Sequence, residues 1–243
     1  KKGARRGDVP LRQSADENPS GVRLPINPAR PIVFLPRVLQ PERSFGGRKI
    51  KSALIGYTGF VGGNILAQRS FDALYNSSNV EAIRGEEFGL VVSAATPAAK
   101  WLANKEPEKD WAAIKKLTDC LEKASAEKFV LVSTVDVYPA PRGVDEDSKI
   151  DKATLEPYGL HRLALEDFVR SHFDSHLIIR LPALFGNGLK KNAVYDFLHN
   201  NELQKIDCRS LFQFYNLELI WRDISTAISG GFSLVNFATE PVS

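Results

Sequence analysis

Three glycines within seven residues, Gly56-Tyr57-Thr58-Gly59-Phe60-Val61-Gly62, are the first feature of this sequence that could do chemistry. They follow a short strand-like run, Lys51-Ser52-Ala53-Leu54-Ile55, and precede a helix-forming stretch, Asn64-Ile65-Leu66-Ala67. In that setting Gly56 permits a tight turn, Gly59 lets the backbone approach a pyrophosphate, and Gly62 lets the helix pack closely on the strand. The phosphates would lie over Gly59, Phe60 and Val61, where free N–H groups and the helix dipole favour negative charge. A surface turn is the plain alternative, and the strand–turn–helix context argues against it. A second feature is the pair Tyr158 and Arg162, which at i, i+4 share one face of a predicted helix. Cys120 and Cys208 stand far apart with no C-x-x-C pattern, and His172 and His176 straddle a predicted helix end. No metal site is therefore expected, and the cysteine usage fits a reducing compartment.

These residues need elements to position them. After the first strand and helix, Phe71–Tyr75 is predicted as a second strand and Asn79–Arg84 as a short helix or loop. The continuous apolar run Gly89-Leu-Val-Val-Ser-Ala-Ala95 is predicted as a strand buried on both faces. Residues 108–125 read as an amphipathic helix with Trp111, Ile114, Leu117 and Leu121 on one stripe. Phe129–Thr134 is the next strand, residues 139–156 a long loop, Tyr158–Phe173 a helix, and His176–Arg180 and Ser233–Phe237 further strands. On the last helix Leu165 and Val169 continue the Tyr158 face, while Leu160, Leu163, Ala164 and Phe168 form another. Strands alternating with helices predict an α/β fold: a Rossmann-type, doubly wound parallel sheet with helices on both faces.

In order and spacing these segments resemble the extended short-chain dehydrogenase/reductases, the superfamily of NAD-dependent epimerases, dehydratases and reductases of nucleotide sugars. The turn matches its G-x-x-G-F-x-G form. Gly89–Ala95 is similar to the strand that runs along the cofactor, which implies Ala94 and Ala95 as cofactor contacts. Ser133-Thr134-Val-Asp-Val-Tyr138 resembles the serine/threonine strand end of the active site, and Tyr158-Gly-Leu-His-Arg162 occupies the place of Tyr-x-x-x-Lys. Arg180-Leu-Pro-Ala-Leu-Phe-Gly186 resembles the strand and substrate-side loop that follow. The resemblance implies Tyr158 as general acid/base, Thr134 (with Ser133 as an adjacent alternate) as hydrogen-bond partner of the reacting oxygen, and Arg162 in the lysine's place beside the tyrosine and the nicotinamide ribose.

Three departures bear on that expectation. Arginine carries a larger, permanently charged planar fork, which can favour the phenolate but suits the compact ribose contact less well. The ribose-binding carboxylate expected about 20 residues beyond the glycine turn is replaced by Tyr75-Asn76-Ser77-Ser78. Asn76 is then the candidate adenosine-side contact, Asp72 is expected to point elsewhere, and the cofactor expectation, NADP or NAD, leans to NADP. The C-terminal substrate region is also short, so the pocket is expected to draw on residues 186–215, with Phe212, Phe214 and Tyr215 supplying aromatic surface or core.

Composition sets the outer bounds. At 243 residues, 43% apolar and 25% charged, the chain suits one sizeable globular domain, and no apolar run approaches the roughly 20 residues of a membrane span. Residues 1–49 hold 11 Lys and Arg against 4 Asp and Glu, a net +7, and seven of the 14 prolines; the remainder nets −4. The sequence thus divides into an extended basic arm, 1–49, and a dinucleotide-binding domain, 50–243, with a small C-terminal substrate part. The arm's Ile32-Val33-Phe34-Leu35 run is expected to dock on a protein partner. Nucleic acid is disfavoured because only Phe34 and Phe45 could stack on bases. A start at Lys1 in a chain without methionine fits a processed organellar protein of the mitochondrial matrix or plastid stroma, and otherwise a cytoplasmic one. Two function classes stay open: an oxidoreductase or epimerase acting on a small sugar-like hydroxyl or carbonyl substrate, and a catalytically weak or inactive accessory subunit of a large organellar assembly (respiratory, photosynthetic or ribosomal) anchored by its arm.

Overall fold

Alternation of apolar side chains along short parallel strands gives the chain a core on each face of one sheet. The computed structural model describes residues 51–207 and 209–242. In chain order its elements are β1 (Ser52–Ile55), α1 (Phe60–Gln68), β2 (Ala73–Tyr75), β3 (Glu87–Ser93), α2 (Lys100–Lys105), α3 (Pro107–Leu121), β4 (Ser125–Thr134), α4 (Pro157–His172), β5 (His176–Leu181), β6 (Ala183–Phe185), α5 (Ala193–His199), β7 (Phe214–Asn216), α6 (Ile220–Ser229) and β8 (Leu234–Asn236). Six strands form a parallel sheet in the order β2-β1-β3-β4-β5-β8. Ala53, Val91, Phe129, Leu131 and Ile178 meet Ile114 and Leu117 of α3 and Leu165 and Val169 of α4 on one face. Leu54, Val92, Val130, Leu177 and Ile179 meet Ile65 of α1 and Ile220 and Ile224 of α6 on the other. Each fully buried Leu, Ile or Phe contributes about 1.5–3 kcal/mol. The α/β class, the parallel sheet and the two helical layers are those expected from the sequence.

Several details differ. The second strand is shorter than predicted because Phe71 packs edge-on against Trp221 at 6.1 Å and Asp72 accepts hydrogen bonds from the Ser52 backbone N–H (2.8 Å) and hydroxyl (2.9 Å). Asp72 therefore points away from the cofactor side, as expected. The buried stripe of α3 begins at Asp110, followed by Ile114, Leu117 and Leu121, and Trp111 is 43% exposed with its ring 5.2 Å from that of His161. On α4 the second apolar face is broken, since Leu160 is exposed while Leu163 is buried. The helices α2, α5 and α6 and the separate β6–β7 pair were not read from the sequence. Among the described residues no helix is long and apolar enough to cross a membrane. The expected arm, its Ile32–Leu35 run and Cys208 lie outside the described residues.

Candidate active site

β2 and β3 lie on opposite sides of β1, so the loops leaving β1 and β3 diverge and open a crevice at the C-terminal edge of the sheet. The glycine turn forms its floor. Gly56 has φ +84°, and a Cβ there would come within 2.6 Å of the Ala94 carbonyl oxygen. A Cβ at Gly62 would overlap the Gly56 carbonyl oxygen, so β1 and α1 meet at this distance only because Gly62 lacks a side chain. Gly59 is the N-cap of α1 and makes no side-chain capping bond. The first-turn N–H groups, which no intrahelical acceptor satisfies, open on a cleft of about 1050 Å³ lined by Thr58, Gly59, Phe60 and Val61. These features fit the pyrophosphate of a dinucleotide.

The same cleft brings together most of the residues singled out in the sequence. Gly59, Phe60, Val61, Ala94, Ala95, Thr134, Tyr158 and Arg162 all line it, with Gly56 and Gly62 shaping the turn beneath. Asn76 stands outside that lining. Its side chain accepts from the Ser78 N–H (2.9 Å) and hydroxyl (2.6 Å) and donates to the Tyr57 hydroxyl at 3.2 Å. The aromatic trio is also elsewhere: Tyr215 is buried and donates to Asp223 at 2.7 Å, and Phe212 and Phe214 stack on each other at 5.4 Å. The outer wall comes from Leu181–Leu184 and from Asn187–Asn192, which lie within the expected 186–215 stretch, while the three aromatics do not line the cleft.

Arg162 is buried and committed. One Nη pairs with the Asp110 carboxylate, which also binds His161 Nδ1 at 2.8 Å, and the other donates to the Pro97 carbonyl at 2.6 Å. The guanidinium carbon sits 4.1 Å from the centre of the Tyr158 ring. Only Nε lacks a partner, and it is buried. The fork thus ties α4 to α3 and to the loop after β3, where Thr96 is held at φ +93°, a rare conformation for a β-branched residue. Although burial alone would raise the Asp110 pKa, bonds from Arg162 and His161 hold the carboxyl below its usual range.

Tyr158 enters α4 with its N–H bonded to Asn104 of α2 at 2.9 Å, while its hydroxyl makes no hydrogen bond among the described residues. Burial pushes the phenol above its ordinary value. Asp136 and Asp110 reinforce that shift, and Arg162 and Lys100 oppose it. Thr134 Oγ1 accepts from the Asp136 N–H at 3.1 Å and donates to the Asp136 carboxylate at 3.2 Å, and Lys100 makes an ion pair with Asp136 at 2.8 Å.

Ser133 also borders the cleft, but its hydroxyl donates to the buried Glu166 at 2.6 Å. Glu166 is held in turn by Arg180 at 2.6 and 3.0 Å and by Arg170 at 2.8 Å. The Ser133 hydroxyl is thus bonded to buried Glu166, whereas the Thr134 hydroxyl is bonded to the adjacent Asp136. Asp136, Lys100 and Asp110 were missed in the sequence. Asp136 lies two residues beyond Thr134 and could have been found there; Asp110 could have been found as the polar residue in register with Ile114, Leu117 and Leu121.

Residues 67–205 match the profile of the NAD dependent epimerase/dehydratase family. No curated protein sequence matches the chain. Among solved structures, the fold is similar to that of MoeE5 in complex with UDP-glucose and NAD, at 18% identity over 79% of this chain and 78% of that one, with a TM-score of 0.63. It is also similar to a dTDP-4-dehydrorhamnose reductase from Bacillus anthracis in complex with NADP, at 17% identity over 80% and 76% of the two chains and a TM-score of 0.63. A third likeness is to a variant of UDP-glucuronic acid 4-epimerase from Bacillus cereus with a fluorinated UDP-glucuronic acid and NAD, at 15% identity, 80% and 79% coverage and a TM-score of 0.65.

Proposed function

This chain belongs to the NAD dependent epimerase/dehydratase family, and from that premise we propose that it is an NAD(P)-dependent oxidoreductase or epimerase acting on a hydroxyl or carbonyl of a nucleotide-linked sugar. The observation that carries the reading is the convergence of three things on one cleft: the uncapped start of α1, the Thr134 hydroxyl and the unpartnered Tyr158 hydroxyl. The α1 N-terminus would hold the cofactor's pyrophosphate, and NAD or NADP, when bound, supplies the hydride donor or acceptor. Thr134 Oγ1 has one lone pair engaged by the Asp136 N–H and keeps another for a substrate hydroxyl. Tyr158 Oη would exchange the proton of that hydroxyl. Lys190 and Lys191 on the outer wall would face the substrate's phosphates. NADP is favoured over NAD, because Asn76-Ser77-Ser78 places no carboxylate after β2 to repel a 2′-phosphate.

One observation favours a second reading. Arg162, in the place of the family lysine, is buried and holds each of its two Nη atoms on another partner, Asp110 and the Pro97 carbonyl. A weak or inactive relative that keeps nucleotide and is anchored to an assembly through residues 1–49 would tolerate that arrangement. The deciding experiment titrates the purified chain with NAD⁺, NADH, NADP⁺ and NADPH, then follows nicotinamide absorbance and product formation with a panel of UDP- and dTDP-sugars. Turnover of any sugar supports the enzyme. Tight cofactor binding without turnover supports the accessory subunit, and failure of all four nucleotides to bind below millimolar concentration removes both.

A further inference from the structure

Among the described residues, two side-chain hydrogen bonds tie the wall segment 187–191 to elements across the cleft. Lys191 Nζ donates to the Ala98 carbonyl at 3.3 Å at one end, and the Asn187 carbonyl accepts from Asn64 Nδ2 at 2.9 Å at the other. The second bond comes from inside the fold. Asn64 lies in α1 next to fully buried Ile65 and is itself 7% exposed. An amide buried there costs free energy unless its N–H groups find acceptors. Nδ2 also donates to the Phe60 carbonyl at 2.8 Å. Both partners are carbonyl oxygens, so the NH2 end of the amide must face them. Phe60 and Asn187 line the cleft and Asn64 does not. One amide thus bridges the first turn of α1 and the start of this wall segment. Gly186 completes the fit. A Cβ there would come within 2.9 Å of Leu217 Cβ and 3.4 Å of Asn64 Oδ1, so the chain enters the wall with no room for a side chain.

We propose that Asn64 is a positioning residue for the substrate: through the Asn187 carbonyl it sets the wall that carries Lys190 and Lys191 at a fixed distance from the start of α1. This rests on the cleft being the sugar-nucleotide site proposed above. Asn64 touches neither substrate nor cofactor and acts through Asn187. The cofactor end of the cleft does not need the amide, because the first turn of α1 keeps its own backbone bond from the Gly63 N–H to the Gly59 carbonyl at 2.8 Å. Loss of the Asn64 amide is therefore felt at the outer wall and not where the cofactor's pyrophosphate would lie. Leucine at this position keeps the volume and the packing of α1 but offers the Asn187 carbonyl no donor. Aspartate has the same shape and would turn an acceptor toward two other acceptors.

The test reads the acceptor itself and needs no turnover. Asn187-Gly188 is the one Asn-Gly pair in the sequence, and no Asp-Gly pair occurs. Labelling the full chain with carbonyl-¹³C asparagine and ¹⁵N glycine therefore gives a single amide-to-carbonyl NMR correlation, that of the Asn187 carbonyl. Asn64→Leu is expected to move this ¹³C resonance upfield, as loss of a hydrogen bond at a carbonyl does. Ile65→Val, a purely packing change one residue along α1, should leave it in place. UDP and NADPH are then titrated separately into the same proteins. Asn64→Leu should weaken UDP about tenfold and NADPH by no more than about twofold, the tenfold loss being 1.4 kcal/mol; Ile65→Val should change neither. Gly186→Ala, which pushes the wall off Asn64 and Leu217 from the other side, should give the same split and serves if Asn64→Leu does not fold. An unmoved Asn187 resonance in Asn64→Leu, an equal move in Ile65→Val, or equal weakening of UDP and NADPH overturns the proposal. If the parent binds NADPH but not UDP, the sugar-nucleotide reading falls, and the Asn187 resonance still decides whether Asn64 positions the wall.

Discussion

Arg162 and Asp110 form a buried ion pair between α4 and α3, each side chain only 4% exposed. The pair turns the residue in the lysine's place into a clamp: one carboxylate, one backbone carbonyl and one aromatic ring hold the guanidinium, and the loop from Ala94 to Ala99 is fixed as a result. A lysine would present three donors from one compact point, whereas the planar fork reaches partners set apart on different elements.

Removing Asp110 should therefore cost far more than an ordinary surface charge. Asp110→Ala leaves the Arg162 charge buried and uncompensated, and a loss of about 3–5 kcal/mol is expected by urea denaturation. The pH dependence follows from the lowered carboxyl pKa of Asp110 in the folded state. Its stabilisation is fully present above the unfolded value of about 3.9 and is lost as pH falls through the folded value. Asp110→Asn should abolish that part of the acid-side slope. An unchanged slope would show that the pair contributes nothing to stability.

Tyr158→Phe is expected to lower any oxidoreductase or epimerase rate by about 10²–10⁴-fold while leaving cofactor affinity close to that of the parent, since the phosphates are held by α1. Because burial raises the phenol's pKa, the proton-accepting form grows with pH across the neutral range. The rate in the alcohol-oxidising direction should rise through pH 9 without a plateau. A plateau near pH 7 would assign the proton to another group.

Ser133 and Thr134 are neighbours with opposite expectations. Ser133→Ala removes a donor to buried Glu166 and should cost about 1–3 kcal/mol of stability with little effect on turnover. Thr134→Ala should leave stability within about 1 kcal/mol and lower turnover about 10- to 100-fold, the value of one hydrogen bond to the reacting oxygen. Steady-state kinetics and thermal denaturation of both variants separate the two effects. Equal loss of turnover in both would mean that Glu166 and Ser133 also reach the substrate.

The sheet was legible because its strands are apolar runs of the right length and the glycine turn stands between strand and helix. Position 162 was legible as a residue but not in its role, since only the fold brings Asp110 and the Pro97 carbonyl to it from 52 and 65 residues away. Trp111 drew the stripe of α3 to itself because an aromatic reads as core, yet Asp110 lies four residues before Ile114 and is buried through its ion pair. The helix α2 went unread because Lys100-Trp-Leu-Ala-Asn-Lys105 is short and carries two exposed apolar side chains, Trp101 and Leu102, with only Ala103 buried. Its position is set by Asn104 and Lys100 reaching other elements, which no local pattern announces.

Adjacent glycines in α1 give the sharpest test of the turn. At Gly62 an added Cβ would overlap the Gly56 carbonyl oxygen and come within 3.0 Å of the Tyr57 Cα, both of them backbone atoms with no rotamer to change. Gly62→Ala must therefore push α1 away from β1, at a cost of about 1–3 kcal/mol for the overpacked contact, and shift the N–H groups that would face a pyrophosphate. At Gly63 the nearest atom to an added Cβ is the Tyr57 carbonyl oxygen at 3.6 Å, an ordinary contact. There alanine only relieves the entropic cost of glycine inside a helix, and Gly63→Ala should stabilise the chain by about 0.5–1 kcal/mol. The two variants differ by one position and one methyl group each, so composition and helix propensity cancel between them. Thermal denaturation should move down for Gly62→Ala and up for Gly63→Ala, and titration with NADP(H) should show binding weakened at least about tenfold in the first, which is 1.4 kcal/mol or more of lost binding. If Gly62→Ala binds NADP(H) as tightly as the parent while being equally destabilised, the turn packs the sheet without holding phosphate, and the cofactor's place lies elsewhere in the cleft.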